Sequence, residues 1–189
     1  MIIRPATGAD APAVVDLFRR FMGEIAELDG APDVAPYVEE AVREELSRLG
    51  EYYLDRPGHG FWVMVDGNRV TGSVGLERAG PDSAELRRMI VAAEVRRCGR
   101  GTALLARAER EAASFGYDRL VLETSTLQPA ATALYERAGY VAEPGAHAPP
   151  AAHKGVGGTV VRHRYSKSLD AKRDGPGDPP ERGTGRGDC

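Results

Sequence analysis

The seven residues RRCGRGT, numbered 96 to 102, decide the fold of this chain. An apolar run that ends at Val91 precedes them and is typical of a strand entering a core. After them, small and apolar residues recur at helical spacing: Leu104, Leu105, Ala108 and Ala112. Gly116 follows where a helix would end, because glycine adopts the left-handed cap conformation without strain. The stretch therefore predicts a strand, a glycine loop and the first turn of a helix.

This loop has the chemistry of a phosphate site. The first N–H groups of a helix lack intrahelical partners and carry the positive end of the helix dipole. Glycines let that backbone approach an anion closely. Three arginines add positive charge, so the sequence predicts that a phosphate group binds here. The residues predicted to surround it are Arg96, Arg97, Cys98, Gly99, Arg100, Gly101 and Thr102.

Two well-known phosphate loops do not fit the sequence. The chain has no Gly-x-x-x-x-Gly-Lys-Ser/Thr segment, which argues against a P-loop nucleotidase. A third glycine, required for the dinucleotide fingerprint, is missing after Gly101. The pattern Arg/Gln-x-x-Gly-x-Gly/Ala does fit, with Arg96, Gly99 and Gly101 at its defined positions. It resembles the acetyl-CoA-binding motif of the GNAT superfamily of N-acetyltransferases.

A second motif supports the same resemblance. Residues 128 to 140 read QPAATALYERAGY, which is similar to the GNAT pattern Asn-x-x-Ala-x-x-Leu-Tyr-x-x-x-Gly-Phe/Tyr. Gln128 replaces the commoner Asn, and Tyr140 takes the place of Phe. Between the two motifs, Tyr117 to Thr124 has the composition of a strand. The resemblance extends over residues 1–169.

The resemblance implies a fold and a cosubstrate. The expected fold is mixed α/β, with a central, mostly antiparallel, twisted sheet flanked by helices. Its fourth and fifth strands would splay apart around CoA. The implied cosubstrate is acetyl-CoA, and no metal is expected. Besides the glycine loop, which would hold the pyrophosphate, the expected cofactor contacts are Met89, Ile90, Val91 and Gln128, the first three through backbone groups.

Tyr135 is the predicted general acid. Transfer of an acetyl group from a thioester leaves a CoA thiolate that needs a proton, and a tyrosine hydroxyl is a workable donor. From the residue alone, a tyrosine that packs its ring into the core is the favoured explanation. The position of Tyr135 in the second motif implies the acid role.

Glu85 is the predicted general base. It stands eleven residues before Arg96, as the base glutamate does in the GNAT histone acetyltransferases. A protonated amine cannot attack a thioester, so such a group is useful. A glutamate at a strand edge, paired with Arg87, remains an alternative, and Glu123 is a rival base.

The expected acceptor is a primary amine, on a small molecule in preference to a protein. The segment Glu51-Tyr52-Tyr53 and the turn Pro57-Gly58-His59-Gly60 are expected to contribute to acceptor specificity. Two other functions stay open. One is a non-catalytic acyl-CoA-binding or regulatory module, and the other is a phosphate-binding protein outside this family.

Composition sets the remaining expectations. The net charge of −3 argues against a nucleic-acid partner, and no apolar run approaches the roughly 20 residues of a membrane span. Cys98 and Cys189 are too few for a disulfide framework, and His147 and His153 show no metal-ligand spacing. We expect a cytoplasmic protein and leave a homodimer open. Asp170 to Cys189 is rich in glycine, proline and charge, which predicts a disordered tail.

Overall fold

The computed structural model of the chain describes residues 1–28, 31, 33–144 and 161–169. The strands are β1 (Ile2–Pro5), β2 (Gly60–Asp66), β3 (Arg69–Arg78), β4 (Ser83–Val91), β5 (Arg119–Ser125), β6 (Val141–Ala142) and β7 (Arg162–Ser168). The α-helices are α1 (Ala11–Ala26), α2 (Ala35–Glu44), α3 (Arg100–Ser114) and α4 (Pro129–Arg137). Short helical turns cover Gly8–Asp10, Leu46–Arg48, Gly50–Leu54 and Ala93–Val95.

The seven strands form one sheet in the order β1-β2-β3-β4-β5-β7-β6. Every neighbouring pair is antiparallel except β4 and β5, which are parallel. Asp66-Gly67 between two runs typical of strands predicts a hairpin, and β2 and β3 form it, with Gly67 at φ 59° in its turn. The expected mixed α/β fold with a mostly antiparallel sheet is confirmed.

The parallel strands β4 and β5 pair over only part of their length. Their register begins with Ser83 opposite Arg119 and ends with Leu86 opposite Leu122. Both strands continue past this point, but within the described residues no further pairs join them. The two strands therefore splay apart, as expected, and the β4 edge that faces β5 is open from Arg87 onward.

A β-bulge interrupts β4 where the splay begins. Arg87 lies opposite Gly75 of β3, but Ile90 lies opposite Ser73, so β4 carries one extra residue between these pairs. Arg88 has φ 50°, in the left-handed region that non-glycine residues rarely occupy. A bulge of this kind re-aims the side chains that follow it.

Side chains on the two faces of the sheet form two apolar clusters. One cluster lies under α1 and α2, and the other lies under α3 and α4. Leu104, Leu105, Ala108 and Ala112 of α3 are all buried in the second cluster, as their spacing predicts. Each fully buried leucine stabilises the fold by about 1.5–3 kcal/mol. Leu86 belongs to the second cluster, and beyond the bulge Met89 packs against it.

The structure differs from the sequence prediction in the second helix and the last strand. The spacing of Val38, Val42 and Leu46 predicts a single helix from Tyr37 to Leu49, but α2 ends at Glu44, because Glu45 leaves the helical conformation at φ −126° and ψ −65°. Alternation from Thr159 to Ser168 predicts the last strand, and in the described part of the chain this strand begins at Arg162. The predicted tail, residues 170–189, and the histidines 147 and 153 lie outside the described residues. In the described part, none of the helices combines the length and apolar character needed to cross a bilayer.

Candidate active site

A cavity of about 180 Å³ opens where β4 and β5 separate. Its walls come from α1, the start of α2 and the residue before it, β4, the end of β5, the loop before α4, Tyr135 of α4 and the first residue of β7. The lining residues are Phe18, Phe21, Met22, Ile25, Val34, Tyr37, Glu85, Leu86, Arg87, Arg88, Met89, Ile90, Glu123, Thr124, Ser125, Leu127, Gln128, Tyr135 and Arg162. Tyr135 and Glu85, which the sequence selects from separate segments, therefore meet at one site.

Tyr135 projects from α4 toward the bulge of β4. Its side chain is 6% exposed, and its hydroxyl donates to the sulfur of Met89 at 3.8 Å. Burial raises the pKa of Tyr135 to about 12, so the hydroxyl stays protonated at neutral pH. Its ring packs against Tyr140 with centroids 5.8 Å apart. The core-packing role and the predicted acid role of Tyr135 are therefore compatible, because the ring is in the core and the hydroxyl lies at the cavity.

Two carboxylates reach the cavity from neighbouring strands. Glu85 stands opposite Val121 in the paired part of β4 and β5, and Glu123 follows two residues later on β5. Arg162 of β7 lies 3.9 Å from Glu123. The predicted base and its rival are therefore both placed at the site, and the distinction between them rests on chemistry.

The glycine loop joins β4 to α3 beside this cavity. Gly99 has φ 71° and is the N-cap residue of α3, so the left-handed conformation explains its identity. Arg97 also has a positive φ, of 64°. A Cβ atom at Gly101 would lie 3.2 Å from the side chain of Leu134 in α4 and 3.9 Å from Met89. The first turn of α3 is thus packed closely against α4 and β4.

Two of the three arginines in the loop form ion pairs with carboxylates elsewhere in the protein. Arg96 pairs with Glu24 of α1 at 2.6 Å and donates to the carbonyl of Val91 at 2.8 Å. Arg100 pairs with Asp66 at 3.1 Å, while its buried Nη1 has no hydrogen-bond partner in the described part of the protein. Arg97 is exposed. Positive charge here therefore comes largely from backbone N–H groups, Arg97 and the spare donor of Arg100.

The other predicted cofactor contacts fall at the splay. Met89 and Ile90 line the cavity, and Val91 is the next residue of β4. Gln128 is the residue before α4, where its side-chain oxygen accepts a hydrogen bond from Thr124 at 3.1 Å. Cys98 and Thr102 are exposed in the loop and the first turn of α3. The residues predicted to contact the cofactor thus follow one another from the glycine loop to the cavity.

Sequence reasoning missed a buried carboxylate behind the cavity. Glu45 is 3% exposed and accepts hydrogen bonds from Tyr53, from Arg87 at 3.1 Å and from Arg88 at 2.8 Å. Burial opposes its ionisation, but the Arg88 hydrogen bond and the charges of Arg88 and Arg87 outweigh it and hold the pKa of Glu45 below its usual value. The sequence signal was present: Glu45 shares the helical stripe of Val38, Val42 and Leu46.

Aromatic residues complete this polar cluster. Arg88 donates to the Tyr37 hydroxyl, and its guanidinium lies 4.9 Å from the ring centre of Phe18. Arg87 pairs with Glu77, which also accepts a hydrogen bond from Tyr52 at 3.3 Å. The predicted specificity segment, residues 51–53, thus contacts the cluster behind the cavity and is absent from the cavity lining. No cluster of three or more potential metal ligands occurs among the described residues.

Comparison with known proteins identifies the family of this chain. The sequence model described as the acetyltransferase (GNAT) family matches residues 22–140. The chain is similar to N-acetyltransferase 8B of Rattus norvegicus, with 31% identity over 135 residues that cover 69% of this chain and 60% of the relative. N-acetylaspartate synthetase of Xenopus tropicalis is 35% identical over 105 residues, which cover 55% of this chain and 39% of that protein. The chain thus spans only about two fifths to three fifths of these curated relatives.

Solved structures share the fold at low sequence identity. PaiA N-acetyltransferase from Thermoplasma acidophilum, in complex with coenzyme A, superposes with a TM-score of 0.68 at 17% identity, covering 88% of this chain and 98% of that one. YncA from Salmonella typhimurium, solved with its cofactor acetyl-CoA, gives 0.65 at 18% identity, covering 96% and 98%. Together with the family match over residues 22–140, these findings confirm that the chain belongs to the GNAT family of acetyltransferases.

Proposed function

We propose that the protein moves an acetyl group from acetyl-CoA to a primary amine by direct attack in a ternary complex. The observation that carries this proposal is the cavity at the splay, which brings Tyr135 and Glu85 together beside the glycine loop. Relatives named as N-acetyltransferases and a related fold solved with acetyl-CoA support it. The alternative, a non-catalytic acyl-CoA-binding module, would not need the two polar groups at one cavity.

The chain's own residues fit acetyl-CoA. The first turn of α3 presents N–H groups that have no intrahelical partners, and Gly99 and Gly101 keep the approach to them open. Arg100 adds a buried donor without an acceptor in the described part of the chain. The open edge of β4 offers backbone groups along the splay. When bound, acetyl-CoA would supply the activated acetyl group.

Glu85 serves as the base for the acceptor amine. A primary amine has a pKa of about 10, so about one molecule in a thousand is uncharged at pH 7, a penalty of about 4 kcal/mol. A positioned base gives roughly 10²–10⁴-fold in rate, which is enough to offset much of that penalty. Glu85 lies at the cavity wall, where an amine approaching the splay would pass.

Tyr135 acts on the leaving sulfur. With a pKa of about 12, its hydroxyl is a permanent donor at neutral pH. A thiol has a pKa of about 8.5, so complete proton transfer from this tyrosine to a thiolate is uphill. The hydroxyl therefore stabilises the leaving sulfur by donating a hydrogen bond, and solvent supplies the final proton. Backbone N–H groups at the β4 bulge stabilise the carbonyl oxygen as it gains negative charge.

The acceptor we propose is a small molecule that carries a primary amine. The cavity of about 180 Å³ has one wall of apolar side chains, including Phe21, Met22 and Ile25 of α1. Glu85 and Glu123 also line the cavity and offer carboxylates to an amine, alongside the guanidinium groups of Arg87, Arg88 and Arg162. An amine with an apolar or amino-acid body suits this mixed lining. Because one relative is named N-acetylaspartate synthetase, amino acids belong among the candidates.

An amine panel tests this function. The purified protein is incubated with acetyl-CoA and polyamines, arylalkylamines, amino acids and a lysine peptide, and acetylated products are measured by mass spectrometry. Mass detection is preferable to a thiol reagent, since Cys98 is an exposed thiol on the protein itself. We expect at least one small amine to be acetylated. Binding of acetyl-CoA without any product would favour the non-catalytic module, and absence of CoA binding would contradict both.

A further inference from the structure

The bulge of β4 is held by a side chain that lies far from it in sequence. We infer that Glu45 is a positioning residue for the acyl group: it anchors Arg88 and thereby fixes the bulge whose backbone faces the acetyl carbonyl. The inference rests on the proposed function. It assigns a role in acyl transfer to a buried ion pair that touches neither motif of the sequence.

The first step is the geometry of the two arginines. Side chains of consecutive strand residues point to opposite faces of a sheet. Arg87 and Arg88 nevertheless both donate to the carboxylate of Glu45, at 3.1 Å and 2.8 Å. This convergence requires the bulge, which places Arg88 at φ 50°. A non-glycine residue persists in this strained conformation only where its surroundings determine it, and here the buried carboxylate does so.

Arg88 is fixed from three sides. Its side chain is 8% exposed and ion-paired with Glu45, whose side chain is 4% exposed. It also donates to the hydroxyl of Tyr37 in α2 and lies over the ring of Phe18 in α1. The bulge is therefore tied to the helices that form the acceptor wall of the cavity. Loss of the Glu45 charge removes the strongest of these three contacts.

The next residue connects the bulge to the reaction. Met89 lies within 3.8 Å of the Tyr135 hydroxyl and near the Cβ position of Gly101. Its side chain therefore lies between Tyr135 and the glycine loop, and its backbone belongs to the stretch of β4 that β5 leaves unpaired. A shift of the bulge moves the N–H groups that meet the acetyl carbonyl. The pyrophosphate contacts at the start of α3 stay in place.

Comparing the affinities for acetyl-CoA and CoA separates a positioning role of Glu45 from a role in stability alone. CoA and acetyl-CoA share every contact except those of the acetyl group. If Glu45 positions the bulge, Glu45→Gln weakens acetyl-CoA more than CoA. If the ion pair only stabilises the fold, the ratio of the two affinities stays constant. Because a lone buried charge is destabilising, the double variant Glu45→Gln, Arg88→Gln is also needed, since it leaves Arg87 paired with Glu77.

The experiment measures both affinities by calorimetry, and kcat and KM with an amine from the panel, in wild type, both variants and a control. The control is Glu44→Gln, the same change at the neighbouring, exposed position, where Glu44 pairs with exposed Arg43. We expect Glu45→Gln and the double variant to weaken acetyl-CoA about three- to ten-fold, with CoA changed less than about two-fold. We expect kcat to fall about ten-fold or more in both. Glu44→Gln should match wild type.

Two results would overturn the inference. If the double variant leaves the ratio of acetyl-CoA to CoA affinity unchanged, the ion pair has a structural role only. The same conclusion follows if the double variant restores kcat. If Glu45→Gln fails to fold by thermal melting, the double variant decides alone. A wild-type protein that binds neither CoA nor acetyl-CoA would contradict the proposed function itself, whereas a wild type that turns over beside an unaffected double variant contradicts only the positioning role.

Discussion

The two faces of the sheet are built in different ways. On the face of α3 and α4, the site comes from short segments: the glycine loop, the first turn of α3 and the motif that contains α4. On the face of α1 and α2, it comes from contacts between distant residues, such as Glu45 with Arg88, 43 positions apart. The first face holds the predicted cofactor contacts, and the second holds the predicted acceptor wall. The predicted cosubstrate contacts are thus encoded locally, while the predicted acceptor wall depends on tertiary packing.

The largest expected effect is a loss of cofactor affinity that leaves the acceptor wall intact. Gly101→Glu places a carboxylate where the pyrophosphate is proposed to bind, beside Leu134 at the α3–α4 contact. Repulsion of several kcal/mol corresponds to a loss of acetyl-CoA affinity of more than about 100-fold, measured by calorimetry. Gly101→Gln, with the same size and no charge, should lose less. Equal losses in the two variants would assign the effect to bulk, and no loss in either would remove the cofactor assignment from this loop.

The next effect tests the junction of the two faces. Tyr135→Phe keeps the ring packing but removes the hydroxyl that points to Met89. We expect kcat to fall about 100-fold, with acetyl-CoA affinity nearly unchanged. Tyr165→Phe is the matched control, because Tyr165 is buried in the same cluster and its hydroxyl donates to Glu136 at 3.2 Å. Full activity of Tyr135→Phe would contradict the role of the tyrosine.

A pH profile sharpens the acceptor side. Glu85→Gln should slow turnover about 10- to 100-fold near pH 7, and the defect should shrink as rising pH deprotonates the amine without help. Glu123→Gln is measured over the same range, since both carboxylates line the cavity. If the pH-dependent defect follows Glu123 instead, that residue is the base. A defect of Glu85→Gln that is independent of pH would indicate a role in binding.

The smallest expected effect concerns charge that stabilises the acceptor face without touching the cavity. Asp10, just before α1, accepts two hydrogen bonds from Arg4, at 2.8 Å and 2.9 Å. The Arg4 hydrogen bond is the main cause that lowers the pKa of Asp10 from 3.8 to about 2, against the opposing effect of burial. A lowered folded-state pKa means stability that is present above about pH 4 and is lost as pH falls toward 2.

Asp10→Asn should therefore cost about 1–2 kcal/mol at pH 7, discounted because Arg4 is 42% exposed. The difference from wild type should close between pH 4 and pH 2, as followed by urea denaturation. Asp16→Asn is the control, since Asp16 is 67% exposed in its pair with Arg20 and should change stability little at any pH. A pH-independent loss in Asp10→Asn would assign the effect to packing.

The contrast between the faces also explains what the sequence could predict. Helix α3, its N-cap glycine and the left-handed Gly116 at φ 85° follow from spacing and from the conformations that glycine permits. Tyr135 and Gln128 are predicted together because they lie within one motif, and both line the cavity. Arg96 and Arg100 were expected to serve the phosphate, but Glu24 and Asp66, 72 and 34 positions away, pair with them. No local pattern contains such partners.

The missed cluster has the same cause. Glu45 on an apolar stripe and two consecutive arginines in a buried strand are each anomalous, and each predicts a partner without identifying it. Only the bulge of β4, which depends on pairing with β3, brings them together. Helix α2 ends at Glu44, one residue before the carboxylate that makes this contact.

The short parallel pairing of β4 with β5 has a mechanical consequence. Four residue pairs join a half-sheet of β1 to β4 with a half-sheet of β5 to β7, so the sheet has a seam that opens toward the cavity. A ligand bound along that seam contacts both half-sheets and helps to hold them together. Its binding then raises the free energy of unfolding, by about 2.7 kcal/mol at a concentration one hundred times its Kd. The cosubstrate of such a protein would also complete its architecture.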